Sequence, residues 1–207
     1  MATLLNRRRY MGGGGGEEPL PQGAIAIEYL ESTGNQWIDT GIEPTTTTTW
    51  ELTFSFSVNN TGQLMGSGFS GNGRFNIGIE SSRFRASYGV GWFDILSTHD
   101  TSKHTWKLAA NGNSCQGSID GTTTSYSSTF SPSGYNIIIC ARGGRTVYSG
   151  ERCKGKLYSS RIWDGGSLIL DLIPVRIEQV GYMYDKISKN FYGNSGTDSF
   201  TLGPDKT

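Results

Sequence analysis

The sequence predicts an all-β protein, a two-sheet antiparallel sandwich preceded by an extended N-terminal arm. Short segments of alternating apolar and polar residues recur along the chain, separated by turn signals roughly every ten residues. The composition agrees: among 207 residues there are 30 glycines, aromatics reach 12 % and charged residues only 17 %. Aromatic and β-branched side chains suit pleated faces, and glycine supplies positive-φ corners. Long periodic runs of helix formers are missing, as is the strand–helix alternation of a parallel α/β sheet.

Residues 1–23 read as an arm and linker. Arg7-Arg8-Arg9 is followed by Gly12 to Gly16 and then by Glu17-Glu18-Pro19-Leu20-Pro21. A glycine run of this kind is a flexible linker in isolation. Residues 24–207 read as one domain, a size at which a single sandwich buries a sizeable core. Ile25, Ile27 and Tyr29 alternate with Ala26, Glu28 and Leu30, the period-2 pattern of a half-buried strand. Trp50 to Val58 is the clearest strand, with every even position apolar. Arg74 to Glu80, Arg83 to Tyr88 and Gly91 to Leu96 follow as short strands separated by Gly or Ser-Ser. Thr105 to Ala110 and Asn113 to Ile119 flank Asn111-Gly112, a type I′ hairpin signal, and Asp120-Gly121 marks the next turn. Tyr135 to Ala141, Lys156 to Trp163, Leu168 to Val175 and Val180 to Ile187 complete the series.

The formal net charge is zero, which argues against a domain that tracks phosphates. Three adjacent arginines contribute little at physiological salt, so no nucleic-acid partner is expected. No apolar stretch approaches the length of a membrane-spanning helix, and no membrane partner is expected either. Gly12 to Gly16 stand where a secretory signal would need its apolar region, so standard secretion is not expected. Cys115, Cys140 and Cys153 are an odd number without a C-x-x-C pair. That pattern is no disulfide scaffold; it leaves one disulfide open and fits a reducing compartment at least as well.

The two ends of the domain resemble a known family. Tyr29-Leu30-Glu31-Ser32-Thr33-Gly34-Asn35-Gln36-Trp37-Ile38-Asp39-Thr40-Gly41-Ile42 is similar to the opening strand pair of laminin-G-like jelly rolls found in gut bacterial and gut phage proteins. Gly155 to Trp163, Leu168 to Val175, Gly181-Tyr182-Met183-Tyr184-Asp185-Lys186 and Phe191 to Thr197 resemble the C-terminal half of the same family. His104-Thr105-Trp106-Lys107-Leu108 and Ile119-Asp120-Gly121 sit where such domains carry their central hairpin. The resemblance spans residues 24–203 and implies a jelly-roll sandwich of the concanavalin A-like/laminin G-like type. Framework residues define that family, so the likeness speaks to fold more than to function. An Arg-rich arm with a glycine linker, fused to such a domain, resembles virion proteins of gut Bacteroidales phages, including crAss-like phages.

The chemistry-bearing motifs point away from catalysis. Gly66-Ser67-Gly68-Phe69-Ser70-Gly71 satisfies G-x-G-x-x-G, but it leads into a strand rather than a helix, so a glycine-rich loop between strands is expected. The Glu-x-Asp-x-x-Glu run of concanavalin-A-like glucanases does not occur, and Asp94, Asp120 and Asp185 are isolated. His99 and His104 lack a zinc-binding pattern, and His104 reads as a framework residue. No cofactor or metal is expected. Were the laminin-G resemblance to extend to a rim Ca²⁺, Asp94, Asp100 and Asp120 would be its oxygen ligands, although Asp120 before Gly121 is explained by turn chemistry. Trp50, Trp106 and Trp163 read as core, whereas Trp37 and Trp92 are the candidates for stacking on a sugar.

These readings lead to a non-enzymatic phage virion protein, a capsid decoration or head fibre made in the host cytoplasm and displayed on the virion surface. The expected partners are capsid or other virion proteins, with host or mucosal glycans as ligands and a homo-oligomer as the assembled form. Leu4, Leu5, Tyr10 and Met11 would supply apolar anchors for the arm, and Arg7, Arg8 and Arg9 charge-assisted hydrogen bonds. The alternative is a carbohydrate-binding adhesin module of a tail fibre or cell surface. An enzyme with dispersed catalytic residues is the third reading.

Overall fold

The structure, a computed structural model, describes residues 19–58, 62–144 and 152–207. The strands, in chain order, are β1 (Ala24–Ala26), β2 (Leu30–Thr33), β3 (Ile38–Asp39), β4 (Thr49–Phe56), β5 (Gln63–Ser67) and β6 (Arg74–Glu80). Then come β7 (Arg83–Gly89), β8 (Gly91–Leu96), β9 (His104–Asn111), β10 (Ser114–Ile119), β11 (Thr122–Ser127) and β12 (Ile138–Ile139). β13 (Arg142–Gly143), β14 (Lys154–Asp164), β15 (Ser167–Ile177), β16 (Val180–Asp185), β17 (Phe191–Tyr192) and β18 (Thr201–Leu202) complete the fold. Among the described residues the only helical segment is a 3₁₀ turn at Gly71–Gly73.

The strands form two sheets packed as a jelly-roll-like β-sandwich. The larger sheet runs β11-β10-β9-β4-β14-β15-β16-β17, with β1 on β15, β2 on β14 and β18 on β2. The smaller sheet runs β3-β12-β5-β6-β7-β8, with β13 on β5. Pairing is antiparallel except between β13 and β5. β14 organises the larger sheet: one edge carries β4, and the other carries β2 along its first half and β15 along its second.

The alternation in β4 decides which face is inside. Trp50, Leu52, Phe54 and Phe56 are all buried, and the register sets Trp50 opposite Leu108 and Leu52 opposite Trp106 of β9. The smaller sheet contributes Phe75, Ile77, Ile79, Phe84, Ala86 and Tyr88 from β6 and β7. Phe84 meets Trp106 edge-on with ring centroids 4.8 Å apart and lies 6.2 Å from Phe56, so the two sheets interlock through their aromatics. The one polar atom of Trp50 is satisfied inside this core, where its indole Nε1–H donates to Ser160 Oγ at 3.0 Å.

The turns follow the punctuation with one shift. Asp120 and Gly121 both have positive φ, 49° and 87°, as a type I′ hairpin turn requires. The β9–β10 turn is centred one residue later than Asn111-Gly112 suggests. Asn111 pairs with Ser114, and of the two residues between them only Gly112 is left-handed, at φ 64°. That is the pattern of a II′ turn, in which Gly takes the first central position.

Four other expectations change. The alternating run at Ile25 to Leu30 is broken: β1 ends at Ala26, Ile27 bridges to Asp205, and β2 begins at Leu30. Gly66 belongs to β5 rather than to a loop. At its φ of 129°, a Cβ would lie 2.2 Å from the Phe75 carbonyl oxygen, so only glycine lets β5 approach β6 there. Tyr135 to Ala141 shrinks to β12 because Cys140, at φ 68°, turns the chain so that β13 runs parallel to β5. Trp163 is half-buried instead of core, because inward-facing Ile162 and a register shift beside it put the indole on the outer face.

All three cysteines are buried free thiols, and burial pushes Cys115 and Cys140 up to about 12. The Trp50–Ser160 bond gives a test of the core. Ser160→Ala strands a buried indole N–H and should cost about 1–3 kcal/mol in denaturant unfolding; an unchanged unfolding midpoint would show that the donor finds another acceptor.

Candidate functional site

The anchoring residues expected in the arm, Leu4, Leu5, Arg7, Arg8, Arg9, Tyr10 and Met11, lie outside the described residues. The two candidate tryptophans lie at opposite edges of the smaller sheet, Trp37 just before β3 and Trp92 in β8. Phe93 and Ile95 face the core, so Trp92 and Asp94 point to the outer face of that sheet. Trp92 is half-buried, with the Arg85 guanidinium 5.8 Å from its ring centre. Ser87, opposite Trp92 in register, is fully buried and accepts a 3.0 Å hydrogen bond from Asn76 Nδ2. Trp37 is built into the framework. Arg152 stacks on its ring at 4.7 Å, its backbone N–H donates to Asn194 Oδ1 at 3.1 Å, and Gly196 lies so close that a Cβ would come within 2.6 Å of the indole.

The three candidate calcium ligands are divided between two partners. Asp94 pairs with Arg83 and with Arg85, whose Nε lies 2.7 Å from Asp94 Oδ1. Asp100 and Asp120 instead hold His104 between them: Nε2 is 2.9 Å from Asp100 and Nδ1 2.5 Å from Asp120. Asp120 also accepts from the Thr105 N–H and Asp100 from the Ser102 N–H, so the imidazole ties the segment before β9 to the β10–β11 turn. Among the described residues no three His, Cys, Asp or Glu side chains are grouped to hold a metal ion. Asp185 is fully buried and accepts from the N–H groups of Asp171, Ile187 and Ser188 and from the Ser188 hydroxyl. Burial alone would raise its carboxyl, but these bonds outweigh it and hold the group below its ordinary value.

Two concave features lie on the outer face of the larger sheet. One, of about 240 Å³, lies between Pro19–Leu20 and the outward residues Ala26, Ile173 and Tyr184, with Asp171 and Lys186 at its side. Asp171 is the hub of an ion chain there, 3.1 Å from Arg161 Nε and 2.9 Å from Lys186 Nζ. The other is an open trough of about 400 Å³ lined by Glu31, Ser55, Phe56, Ser57, Thr101, Lys103, Lys156 and Tyr158. Register builds it. Leu30, Phe54 and Leu157 point into the core, so Glu31, Ser55 and Lys156 form one row across β2, β4 and β14 on the opposite face.

In and beside the trough Tyr29 and Tyr158 meet edge-on at 5.7 Å. Lys156 Nζ stands 4.3 Å from the Tyr29 ring centre and Lys103 Nζ 4.9 Å from that of Tyr158. Tyr29, together with Glu31, holds the Lys156 ammonium above its ordinary value, so it stays charged. Ser57 Oγ donates to Glu31 at 3.1 Å. None of these residues was singled out as a ligand contact by the sequence reading. The spacings Tyr29-x-Glu31 and Lys156-x-Tyr158 would share a face in a regular strand, but Tyr29 precedes β2 and the β14 register shifts between Leu157 and Ser159, so the sequence carries only a partial signal. No protein-family model matches the chain, and no curated protein matches it.

The His104 clamp predicts a pH signature. Burial pushes its imidazole down, but the bonds to Asp120 and Asp100 outweigh that and raise it above the ordinary 6.5. The His104 bond holds Asp100 below 3.8, and the bonds from His104 and Thr105 do the same for Asp120 against its burial. The stabilisation is therefore fully present between pH 3.8 and 6.5, fading above as His104 deprotonates and below as the carboxyls protonate. The melting-temperature difference between the parent and His104→Gln should peak near pH ~5 and shrink toward pH ~8 and ~3. A difference independent of pH would mean that His104 acts by packing alone.

Proposed function

We propose that the chain is a non-enzymatic virion structural protein, a capsid decoration or head fibre, that displays its sandwich outward and binds glycans with it. The observation that supports the non-enzymatic part is the commitment of the three isolated aspartates. Asp94 is held by two arginines, Asp120 by His104 and the Thr105 N–H, and Asp185 by its own loop. Acid–base chemistry needs a carboxyl that faces a ligand and changes its proton at working pH, and these three serve the framework instead.

Display is supported by the division of the chain. Strand pairing starts at Ala24, and Pro19 and Leu20 already lie against the larger sheet. Residues 1–18, outside the described residues, are basic and glycine-rich in sequence, and such an arm joined to a jelly roll resembles virion proteins. Capsid or other virion proteins are the partners proposed for it. Glycan binding is supported by the half-exposed Trp92 and by the tyrosine-lined trough, since aromatic faces give a pyranose the apolar contact that hydrated hydroxyls cannot. The trough also favours the second reading, an adhesin module of a tail fibre or cell surface, because binding through it requires no particle.

A chain beginning at Pro19 should melt within a few degrees of the parent yet fail to join particles, whereas residues 1–16 fused to an unrelated soluble protein should join them. Normal incorporation of the shortened chain would refute the anchor. On a glycan array, Trp92→Ala should weaken or abolish binding with the fold intact; binding equal to the parent would remove Trp92 from the site.

A further inference from the structure

We propose that the trough on the outer face of the larger sheet is a subsite for an acidic saccharide, its anionic group gripped by Lys103 and Lys156 and a pyranose face laid on Tyr158. The proposal rests on the glycan-binding reading above and gives that reading a ligand class and a place. Lys103 and Lys156 flank one pair of touching rings, Tyr158 and Tyr29, and neither forms an ion pair among the described residues. Three other cations of the larger sheet's outer face are used differently. Arg161 and Lys186 pair with Asp171, and Arg176 grips Asp205. Lys103 meets a ring face and Lys156 the Tyr29 side chain, with Glu31 opposite it in register, so the two ammonium groups share one concavity without an ion pair among the described residues. A cation–π contact at an exposed position is weak, so exchanging it for a carboxylate or sulfate costs little and frees the ring for the sugar.

The rest of the lining selects a saccharide over a bare anion. Ser55, Ser57 and Thr101 present hydroxyls, and Glu31 is a hydrogen-bond acceptor whose one described side-chain donor is Ser57. A sugar can satisfy all of these with its hydroxyl groups. The Glu31 carboxylate also repels a densely charged polyphosphate, which leaves a ligand with sparse negative charge. The wall that carries Lys103 and Thr101 is fixed by the Asp100–His104–Asp120 clamp, so the trough does not depend on a free loop.

The test is a calorimetric titration of the full chain at low ionic strength. The probes are a galacturonate trimer, sialyllactose and sulfated lactose, each against its neutral counterpart. At least one acidic probe should bind at least about tenfold more tightly than its neutral partner. The carboxylated and sulfated arms then tell which anionic group is taken. The double variant Lys103→Gln/Lys156→Gln should erase that preference while neutral-sugar binding and the melting temperature stay at parental values. Should the double variant melt early, Lys103→Gln alone, at an exposed position, carries the same criterion. Equal affinity for acidic and neutral probes, or a preference that survives loss of the lysines, overturns the subsite and leaves the glycan reading standing. Binding of no saccharide overturns both.

Discussion

Phe84 reaches from the smaller sheet against Trp106 and Phe56 of the larger one, and that contact fixes which side of every strand is the inside. A β-strand has only two faces, so once Phe54, Phe56, Leu157 and Leu30 are committed inward their neighbours have no choice. Ser55, Lys156 and Glu31 must appear together on the outer face of β4, β14 and β2. The trough is therefore a by-product of core register. A one-residue slip of β2 against β14 would scatter it while burying charge, which is why register and surface chemistry are held by the same apolar contacts.

Where one face of a strand is wet, the chain announced its structure. Trp50 to Phe56 and Thr105 to Ala110 could be read directly, because alternation is the imprint of a half-buried strand. β5 could not. All five of its residues are buried, so Gln63-Leu64-Met65-Gly66-Ser67 shows no alternation, and Gly66 looks like punctuation when it is a close strand contact. β11 failed for the opposite reason. Thr122 to Ser127 is a polar outermost strand of the larger sheet that borrows its order from β10 and so carries little pattern of its own. Cys140 reverses the chain in a left-handed conformation that no residue-type rule assigns to cysteine.

The candidate binding surface was legible only in part, and again for a physical reason. Ring size led to Trp37 and Trp92, but exposure depends on what neighbours do. Arg152 and Gly196 both lie against Trp37, while Trp92 keeps part of its surface at the far edge of the same sheet. Tyr29 and Tyr158 are far apart in sequence and become neighbours only because β14 accepts β2 on the edge away from β4. Long-range strand order creates such a site, and short-range spacing can suggest only its halves.

The closing bridge between Ile27 and Asp205 has a mechanical consequence. Lys206 N–H donates to the Ala26 carbonyl, and Arg176 holds Asp205 with two hydrogen bonds, so the first and last segments of the sandwich leave it side by side. Tension applied through residues 1–18 enters at β1, whose three residues pair with the end of β15 next to that bridge. If the other end of the load were the C-terminal segment, the two would be unzipped one bond at a time, a weak geometry. If it were a ligand held on the broad outer face of the larger sheet, the load would pass through β15 into β14 and spread over many bonds strained together. The same fold is thus weak against a load between its two ends and stronger against one between β1 and the outer face of the larger sheet.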